Sequence, residues 1–511
     1  MIDPGKRAGR WLLGLLGFLS SAYFLHEHPG WNVNTRLALT YAIVDEHRLT
    51  IDSFHALPEY ETHDKAFFNE HFYSDKIVGN AFAAIPAYQI ARWVTNGLRL
   101  PFSPQAKDYV CRVSTVSVAY GLLLMMLAAL FERQGVAPHQ ATGLAALGGL
   151  GTLLFPYSTL FYPYVPACLL SVVAYRLTLP RGPDDALSSL PLPRVFLAGL
   201  AMGGALLFEL LYGLIAIALV LHLLGSQRPL GRGVLAAFVF GVGSIIALIP
   251  FWIYTHAIFG RFTIPYEYEY HQIFQEAMAS GFMGIHFPPK PGVLWLITFH
   301  PFRGLFFHAP ILLFAVPGFV AMTRLPHGVM RALVCVGLFV GYLLVNGGYY
   351  HHWWGGTACG PRHLIPALPF LLLPVAAAWA RWPRLRPAIL AAGAVSVALQ
   401  LLPSGINPQP PLLVPPGFNH VEYLAAGTLD RPYGNPLTQY YLPVLAQDAV
   451  ARNPGRLLEL QGGVSWLPLL ALWLGFALWA SRSQSLRTSP TAADDMGSEG
   501  MASPTTTGQD R

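Results

Sequence analysis

The chain has 511 residues, of which 54% are hydrophobic and only 11% are charged. Soluble domains carry roughly 25% charged residues, and several apolar runs here are about 17–25 residues long, the length that crosses a bilayer. These features exclude a soluble globular enzyme and predict an all-α polytopic membrane protein. The net charge of +6 does not indicate nucleic acid as a partner, because basic loops that face anionic lipid account for it.

The first apolar run follows a short basic N-terminus, residues 1–10, and is predicted to span the membrane at 11–26. A cleaved signal peptide has a similar start. However, no small-residue cleavage site follows the run and more spans come after it, so a retained signal anchor is predicted.

Arginine and lysine fall in short clusters between the apolar runs, and the positive-inside rule converts these clusters into an orientation. With every cluster in the cytoplasm, the transmembrane domain, 11–480, contains about twelve spans, and both termini are cytoplasmic. The predicted spans lie near 11–26, 110–131, 141–157, 163–179, 195–208, 213–225, 234–256, 304–323, 330–346, 363–380, 387–402 and 464–480. A single tilted helix over 195–225 is the alternative to two short spans, and it would reverse the orientation of everything downstream.

This path places a long first outer (periplasmic) loop at 27–109, with juxtamembrane helices near 33–44 and 78–95. A span at 78–95 is the alternative, but it disagrees with the later basic clusters. The other predicted outer segments are 158–162, 209–212, 257–303, 347–362 and 403–463. The Ser/Thr/Pro/Gly-rich segment 481–511 is predicted to be a disordered cytoplasmic tail.

Two acid–lysine pairs, Asp64-Lys65 and Asp75-Lys76, lie eleven residues apart in the first outer loop, with His71 between them. A carboxylate can accept a proton from an attacking hydroxyl, and an ammonium can neutralise a phosphate oxygen. The pairs are therefore predicted to meet around one polar ligand. The alternative is a solvated loop whose ion pairs contribute under about 1 kcal/mol each.

Two arginines stand at the outer ends of predicted spans. Arg303 lies in the sequence His-Pro-Phe-Arg-Gly, and Arg362 follows the segment 347–356, which is rich in Gly, Tyr, His and Trp. Guanidinium groups bind phosphate in a fork geometry, and glycines let a backbone approach a ligand closely. The alternatives are snorkelling side chains and an aromatic belt at the membrane interface.

Glu209 interrupts an apolar run, where an acid costs roughly 2.5–3.5 kcal/mol at a helix centre. Such an acid marks either a polar cavity or a structural hydrogen bond between helices. The alternating segment 266–271, Tyr-Glu-Tyr-Glu-Tyr-His, either lines an acceptor site or lies on the surface.

No metal and no cofactor is predicted. His351, His352 and His363 have no accompanying carboxylate, and adjacent histidines point apart on a regular element. The four cysteines are scattered through apolar runs, which is typical of small buried side chains.

The sequence resembles the GT-C class of membrane glycosyltransferases, and within it bacterial relatives of the protein O-mannosyltransferases and lipid A aminoarabinose transferases. The stretches that carry the resemblance are 34–39, 49–52, 71–76, 302–306 and 354–366. The resemblance implies a GT-C fold in the bacterial inner membrane and a polyprenyl-phosphate-linked sugar as donor. It also implies an envelope glycan, lipid or protein as acceptor.

The resemblance further implies that an acid of the first outer loop, Asp75 or Asp64, acts as base on the acceptor hydroxyl. The implied ligands of the donor phosphate are Lys65, Lys76, Arg303 and Arg362. The implied sugar and acceptor pocket contains Arg36, His71, Tyr73, Glu209, His352, Trp354 and His363.

One departure from the family pattern bears on catalysis. Many relatives carry an Asp-Glu pair shortly before an arginine, whereas this chain reads Val33-Asn34-Thr35-Arg36. An amide cannot take up a proton as a carboxylate does. Either the acids of the first loop supply the base, or the chain is a non-catalytic membrane subunit. A transporter or lipid flippase is a further alternative, because twelve spans suit it equally and Glu209 favours it.

Overall fold

Apolar runs fold into helices in a bilayer because each backbone N–H and C=O must find its partner within the segment. The computed structural model describes residues 4–27, 30–180, 190–227, 229–417 and 419–488. In these ranges six helical stretches are long and apolar enough to cross a membrane, and five more are apolar but shorter. The predicted polytopic, predominantly helical membrane fold is confirmed.

The helices follow the predicted runs closely. The first half of the chain forms α1 (Pro4–Ala22), α2 (Trp31–Tyr41), α3 (Gly79–Gly97), α4 (Pro104–Arg112), α5 (Val118–Glu132), α6 (Pro138–Leu150), α7 (Leu154–Ser158), α8 (Tyr164–Thr178), α9 (Leu192–Phe208), α10 (Gly213–Ser226), α11 (Leu230–Ala247) and α12 (Ile249–Phe259). The second half forms α13 (Gln272–Ala279), α14 (Pro291–Thr298), α15 (Leu305–His308), α16 (Ala315–Thr323), α17 (Gly328–Gly348), α18 (Leu368–Arg381), α19 (Arg386–Gly405), α20 (His420–Ala425), α21 (Leu442–Ala446) and α22 (Leu467–Thr488).

Short 3-10 and π turns continue several of these helices. The 3-10 turns are Leu210–Tyr212, Pro265–Tyr268, Pro310–Phe314, Arg362–Ala367, Pro383–Leu385, Pro454–Leu458 and Gly462–Trp466, and the π turns are Ala42–Glu46, Val113–Ser117 and Leu437–Tyr441. The π turn Val113–Ser117 joins α4 to α5, so one continuous helix runs from Pro104 to Glu132.

The predicted division of the run 195–225 is present in the structure. Helix α9 ends at Phe208, Glu209 is extended at φ −157° and ψ 121°, and α10 begins at Gly213 after one 3-10 turn. The acid therefore stands at a break between two helices and not in the middle of one.

Helices α9 and α11 approach each other through glycine. A Cβ atom on Gly199 would lie 2.1 Å from the carbonyl oxygen of Phe240, and one on Gly203 would lie 2.2 Å from that of Ser244. Small residues four apart allow such contact between membrane helices. The Ser244 hydroxyl uses the close approach to donate a hydrogen bond to the Gly199 carbonyl at 3.0 Å.

The segments predicted to lie outside the membrane meet at one end of the bundle, here called the loop end. The contacts that join them are Tyr270 N to Lys65 O, His286 N to Gly348 O and Cys359 N to Pro408 O, each 2.8 Å, and Arg362 Nη1 to Tyr162 Oη at 3.0 Å. The opposite end carries the start of α1, where Arg10 pairs with Glu132 at 2.8 Å.

A two-stranded hairpin in the first outer loop departs locally from the all-α expectation. Strand β1 (Ala66–Phe68) pairs antiparallel with β2 (His71–Tyr73), and the register sets Ala66 opposite Tyr73. The turn residues Asn69 and Glu70 have φ values of 48° and 65°, as a two-residue hairpin turn of the primed type requires. Continuing the same register outward sets Asp64 opposite Asp75.

The ends of the chain differ in part from the expectation. Helix α1 stops at Ala22, short of the predicted 11–26 span, and α22 continues to Thr488 into the segment predicted as a tail. Helix α3 occupies the predicted 78–95 segment and is not among the six stretches of spanning length and apolarity. Residues 1–3 and 489–511 lie outside the described residues. So do Arg181 and Arg228, two of the basic residues between predicted spans from which the orientation was predicted.

Candidate active site

Lys76 lies between two carboxylates at the loop end. Its Nζ atom contacts Asp75 Oδ2 directly and lies 3.2 Å from Asp64 Oδ2. The Asp75 side chain is fully buried (0% exposed), and its second oxygen, Oδ1, has no hydrogen-bond partner among the described residues. The structure thus brings together three of the four residues in the two acid–lysine pairs, with one cation shared by two anions.

The hairpin explains why Lys65 and His71 do not join this cluster. Side chains alternate along an extended strand, so Lys65 points away from Asp64. Its ammonium lies over the Phe72 ring at 4.7 Å and 2.9 Å from His55 Nδ1. The Lys65 ammonium therefore does not lie beside Lys76, where the phosphate site was predicted.

His71 stands next to the turn of the hairpin, where its side chain is 55% exposed. Its Nδ1 atom is 2.7 Å from Asp52 Oδ2, and the same carboxylate accepts the backbone N–H of Phe72 at 2.7 Å. His71 thus holds the hairpin to the loop and lies on the surface, apart from Lys76, and its predicted place in a sugar pocket stays a prediction. Tyr73 is buried against Phe259, with ring centroids 6.1 Å apart.

Helix α2 supplies Arg36, which is 1% exposed. One of its nitrogens donates to the carbonyl and the side chain of Asn32 at 3.0 Å, and another lies 3.9 Å from Glu209 Oε2. Glu209, the acid between α9 and α10, therefore has a cationic partner at the loop end. The Nε atom of Arg36 is buried and has no partner in the described structure.

Asn34 occupies the position where the resemblance to the GT-C class implies an acid. Its side-chain nitrogen donates to the Glu61 carbonyl at 2.9 Å, and its Oδ1 atom is buried and has no partner among the residues described. The amide fastens the first outer loop to α2, which is a structural use of this position.

Arg362 presents a guanidinium without an acidic partner. Its Nη1 donates to the Tyr162 hydroxyl at 3.0 Å, and among the described residues no carboxylate lies within 4.0 Å of it. Its Nε is buried and has no hydrogen-bond partner in the part of the chain that the structure describes. Gly355, at φ +73°, covers the stem of the arginine, and a Cβ atom there would lie 3.0 Å from Arg362 Cγ. Only glycine combines this backbone conformation with this contact.

Arg303 has a different environment from the one predicted. Its guanidinium is buried and donates to three backbone carbonyls of the loop that precedes Arg362, those of Trp354 (3.1 Å), Gly356 (2.9 Å) and Ala358. These bonds occupy the fork that a phosphate would need. Arg303 therefore holds the loop in this structure, and its predicted role at the donor phosphate stays a prediction.

The aromatic and histidine side chains of this loop pack on each other. The His352 ring lies 5.3 Å from Trp354 and 5.4 Å from Phe274. Burial, with a smaller effect from Arg362, lowers the pKa of His352 to about 4, so the imidazole is neutral. Trp354 is only 2% exposed, which leaves no open ring face for the sugar that the sequence predicted there.

His363 does not converge with the other two histidines on a metal-binding geometry. Its Nδ1 is 2.9 Å from Asn346 Oδ1, while His351 is exposed. Within the described ranges, no group of three or more His, Cys, Asp or Glu side chains is arranged to hold a metal ion.

Glu269 belongs to the cluster, although sequence reasoning did not single it out. Its carboxyl group is buried and interacts with Asp75, Lys76 and Asp64, and the neighbouring Tyr266 ring lies 5.4 Å from Lys76 Nζ. The alternation of Tyr and Glu in 266–271 was the available signal. It indicated one acidic face but not which partner that face would meet.

Comparison with known proteins identifies the fold. No family model matches the chain, and no curated protein sequence matches it significantly. The solved structure of ArnT from Cupriavidus metallidurans in the apo state is similar with a TM-score of 0.50, at 14% identity over 91% of this chain and 74% of that chain. The same protein bound to undecaprenyl phosphate is similar with a TM-score of 0.52, at 15% identity over 95% of this chain and 78% of that chain. The chain therefore has the GT-C fold that its sequence resemblance implied.

Proposed function

We propose that this chain is an inner-membrane glycosyltransferase that transfers a sugar from a polyprenyl-phosphate-linked donor to an envelope acceptor. The observation that carries the proposal is the buried Lys76 between Asp64 and Asp75, at the same end of the bundle as Arg36 and Arg362. The fold of the chain is that of ArnT, an aminoarabinose transferase, which binds undecaprenyl phosphate.

The basic side chains of the cluster fit an anionic ligand. Arg36 Nε and Arg362 Nε are buried donors without a partner among the described residues. Lys76 has three N–H donors, of which its two carboxylate contacts use two. Buried polar groups are normally hydrogen-bonded, and a phosphate supplies several acceptor oxygens at once. In this proposal Lys76, Arg36 and Arg362 bind the donor phosphate.

Asp75 is placed to act as the base. Its Oδ1 atom has no donor in the described structure, so it is able to accept a proton from the acceptor hydroxyl. The acceptor oxygen forms a bond to the anomeric carbon of the sugar on one face. On the opposite face the bond from that carbon to the phosphate oxygen breaks. Polyprenyl phosphate leaves with the electron pair, the hydroxyl proton passes to Asp75, and Asp64 holds Lys76 in place.

The alternative of a transporter rested on Glu209. This carboxylate lies 3.9 Å from Arg36 at a helix break on the loop end, beside the other charged groups. Its position supports assigning its charge to the proposed transferase cluster and not to a transport pathway.

Binding of the lipid phosphate tests the proposal directly. Undecaprenyl phosphate is titrated onto the detergent-solubilised protein and followed by native mass spectrometry. We expect Arg362→Ala to weaken binding about tenfold or more, because a hydrogen bond to a charged group contributes about 1.5–3 kcal/mol. The matched control is Arg384→Ala, an exposed arginine between α18 and α19 at the opposite end, which should bind as the unchanged protein does. Equal affinity of all three proteins would contradict the proposal.

A further inference from the structure

Glu269 is delivered to the acid cluster by backbone pairing between two outer loops. Glu269 forms an antiparallel bridge with Ala66, the first residue of β1, and the Tyr270 N–H donates to the Lys65 carbonyl at 2.8 Å. Alternation along this extended stretch turns Tyr270 outward onto Phe67, while the Glu269 side chain points inward and is 4% exposed. Its burial is therefore fixed by the backbone and is not a chance side-chain orientation.

The carboxyl group enters a site that already has too few cations. Asp64 and Asp75 share one ammonium, that of Lys76, and Glu269 adds a third carboxyl group to them. Glu269 Oε1 and Asp75 Oδ1 are both buried, and neither receives an N–H or O–H donor from the described residues. The two groups lie close enough for a hydrogen bond between them. A proton on Glu269 that is shared with Asp75 satisfies both oxygens, because one ammonium cannot keep three adjacent buried carboxylates ionised. Each carboxylate oxygen has two lone pairs, so Asp75 Oδ1 can still accept the proton of the acceptor hydroxyl.

The charged groups around the pair agree with a protonated Glu269. Asp75, Lys76 and Asp64 face it from the first outer loop, Tyr266 faces Lys76 from its own loop, and Arg36 faces Asp75 from α2. Burial, followed by the negative charge of Asp75, raises the pKa of Glu269 to about 10, although Lys76 opposes the shift.

We propose that Glu269 is a neutral carboxylic acid that donates its hydrogen to Asp75 and thereby positions the base and stabilises its anionic form. This inference rests on the proposed function in so far as Asp75 is the base of sugar transfer. When Asp75 takes the acceptor proton, the pair holds two protons and carries no charge. When Glu269 loses its own proton at alkaline pH, its negative charge opposes the binding of the donor phosphate beside Lys76.

Infrared spectroscopy tests the protonation of Glu269 without any transfer assay. The protein in lipid nanodiscs at about pH 7 should show the C=O stretch of a protonated carboxyl group. This pH lies well below the raised pKa of Glu269, so the carboxyl group keeps its proton. Glu269→Gln should remove this band. Glu267→Gln should retain it, because Glu267 lies two residues away and is exposed in an ion pair with Arg261. A spectrum in which Glu269→Gln changes nothing would overturn the inference.

The pH profile of sugar transfer tests the positioning role. We expect Glu269→Gln, whose amide still donates, to stay within about threefold of the unchanged protein near neutral pH and to lose the alkaline decline. Glu269→Ala should shift the acidic limb upward by about one pH unit, because Asp75 loses one hydrogen bond to its charged form. If Glu269→Gln lowers transfer as much as Asp75→Asn, Glu269 acts as a carboxylate and the inference is wrong. Absence of transfer in every protein, with the infrared band present, would refute the proposed function and leave the protonated Glu269 standing.

Discussion

Lys76 is the residue on which the acid cluster depends. Two carboxylates are buried around its ammonium, and a buried charge without its partner is strongly destabilising. We expect Lys76→Met to lower the free energy of unfolding by about 3–5 kcal/mol and the double variant Asp75→Asn with Lys76→Met to recover part of that loss. Thermal unfolding in detergent measures both.

A second lysine provides the control for this prediction. Lys290 donates to the Ala425 carbonyl and has no carboxylate contact within 4.0 Å among the described residues, so Lys290→Met should cost much less. An unchanged unfolding temperature for Lys76→Met would show that the two acids are not held as anions by this lysine.

Glu269 should make the stability of the protein depend on pH. Its pKa is raised from 4.5 to about 10 in the folded chain, so the folded state binds a proton that the unfolded state releases. Its contribution is fully present below about pH 4.5 and is lost as pH rises towards about pH 10. The unfolding temperature of Glu269→Gln should therefore gain on that of the unchanged protein between about pH 5 and about pH 9. Parallel curves for the two proteins would mean that Glu269 is ionised in the folded state.

At the residue scale, the meeting of Asp64 and Asp75 could be predicted from the sequence, but the residues around them could not. The spacing of Asp64 and Asp75 was enough to predict that they meet, because a hairpin between them returns the chain to the same place. Lys65 and His71 lie outside the cluster because side chains alternate along the strands of this hairpin, and the sequence does not show where those strands begin. Glu269 reaches the cluster through pairing between two distant loops, which no local pattern encodes.

At the scale of elements, the loop 349–361 depends on Arg303. Three backbone carbonyls accept from its guanidinium, and a lysine cannot reproduce that planar fork. We expect Arg303→Lys to increase hydrogen exchange in residues 354–358 while α17 and α18 stay protected. Sugar transfer should also fall, because this loop positions Arg362. Arg384→Lys is the control. Unchanged exchange in the loop would return Arg303 to the list of candidate phosphate ligands.

The contact between α9 and α11 gives a second prediction at this scale. A side chain at Gly203 would collide with the Ser244 carbonyl, whereas a Cβ on Gly241 meets no atom within 4 Å. Gly203→Val should therefore lower stability by about 1–3 kcal/mol, the usual cost of overpacking, and Gly241→Val should cost less. Thermal unfolding measures the stability that each variant loses. Equal losses for the two variants would mean that the helices can separate to accommodate the added side chain.

The helices were predictable because the bilayer leaves few choices for the backbone. Apolar runs must form helices, and the acid at Glu209 correctly marked the break between α9 and α10. The hairpin at residues 66–73 was not predictable in the same way. It lies in a polar loop, where no continuous apolar face indicates a strand.

For the molecule as a whole, the bundle serves to bring distant loops together. Arg36, Glu209, Arg362 and the acids of the first outer loop come from separate segments and meet at one end because each helix pair returns the chain there. Helix surfaces away from this end expose large apolar side chains such as Leu221 and Phe238, as expected where lipid surrounds a protein. The contacts within the loop end could not be predicted, because hydropathy and loop charge carry no information on distances between residues.

In the proposed function, the buried acids of the first outer loop catalyse transfer of a sugar to an envelope acceptor. Mass spectrometry of cell-envelope glycans in a deletion strain tests this most directly. The strain expresses the unchanged chain, the double variant Asp64→Asn with Asp75→Asn, or the control Asp430→Asn at an exposed residue. The three proteins are compared at matched levels in the membrane. We predict that the unchanged chain and the control restore a sugar that the deletion lacks, and that the double variant restores it at least about 10²-fold less, because a general base contributes about that much. Full restoration of the sugar by the double variant would contradict the account.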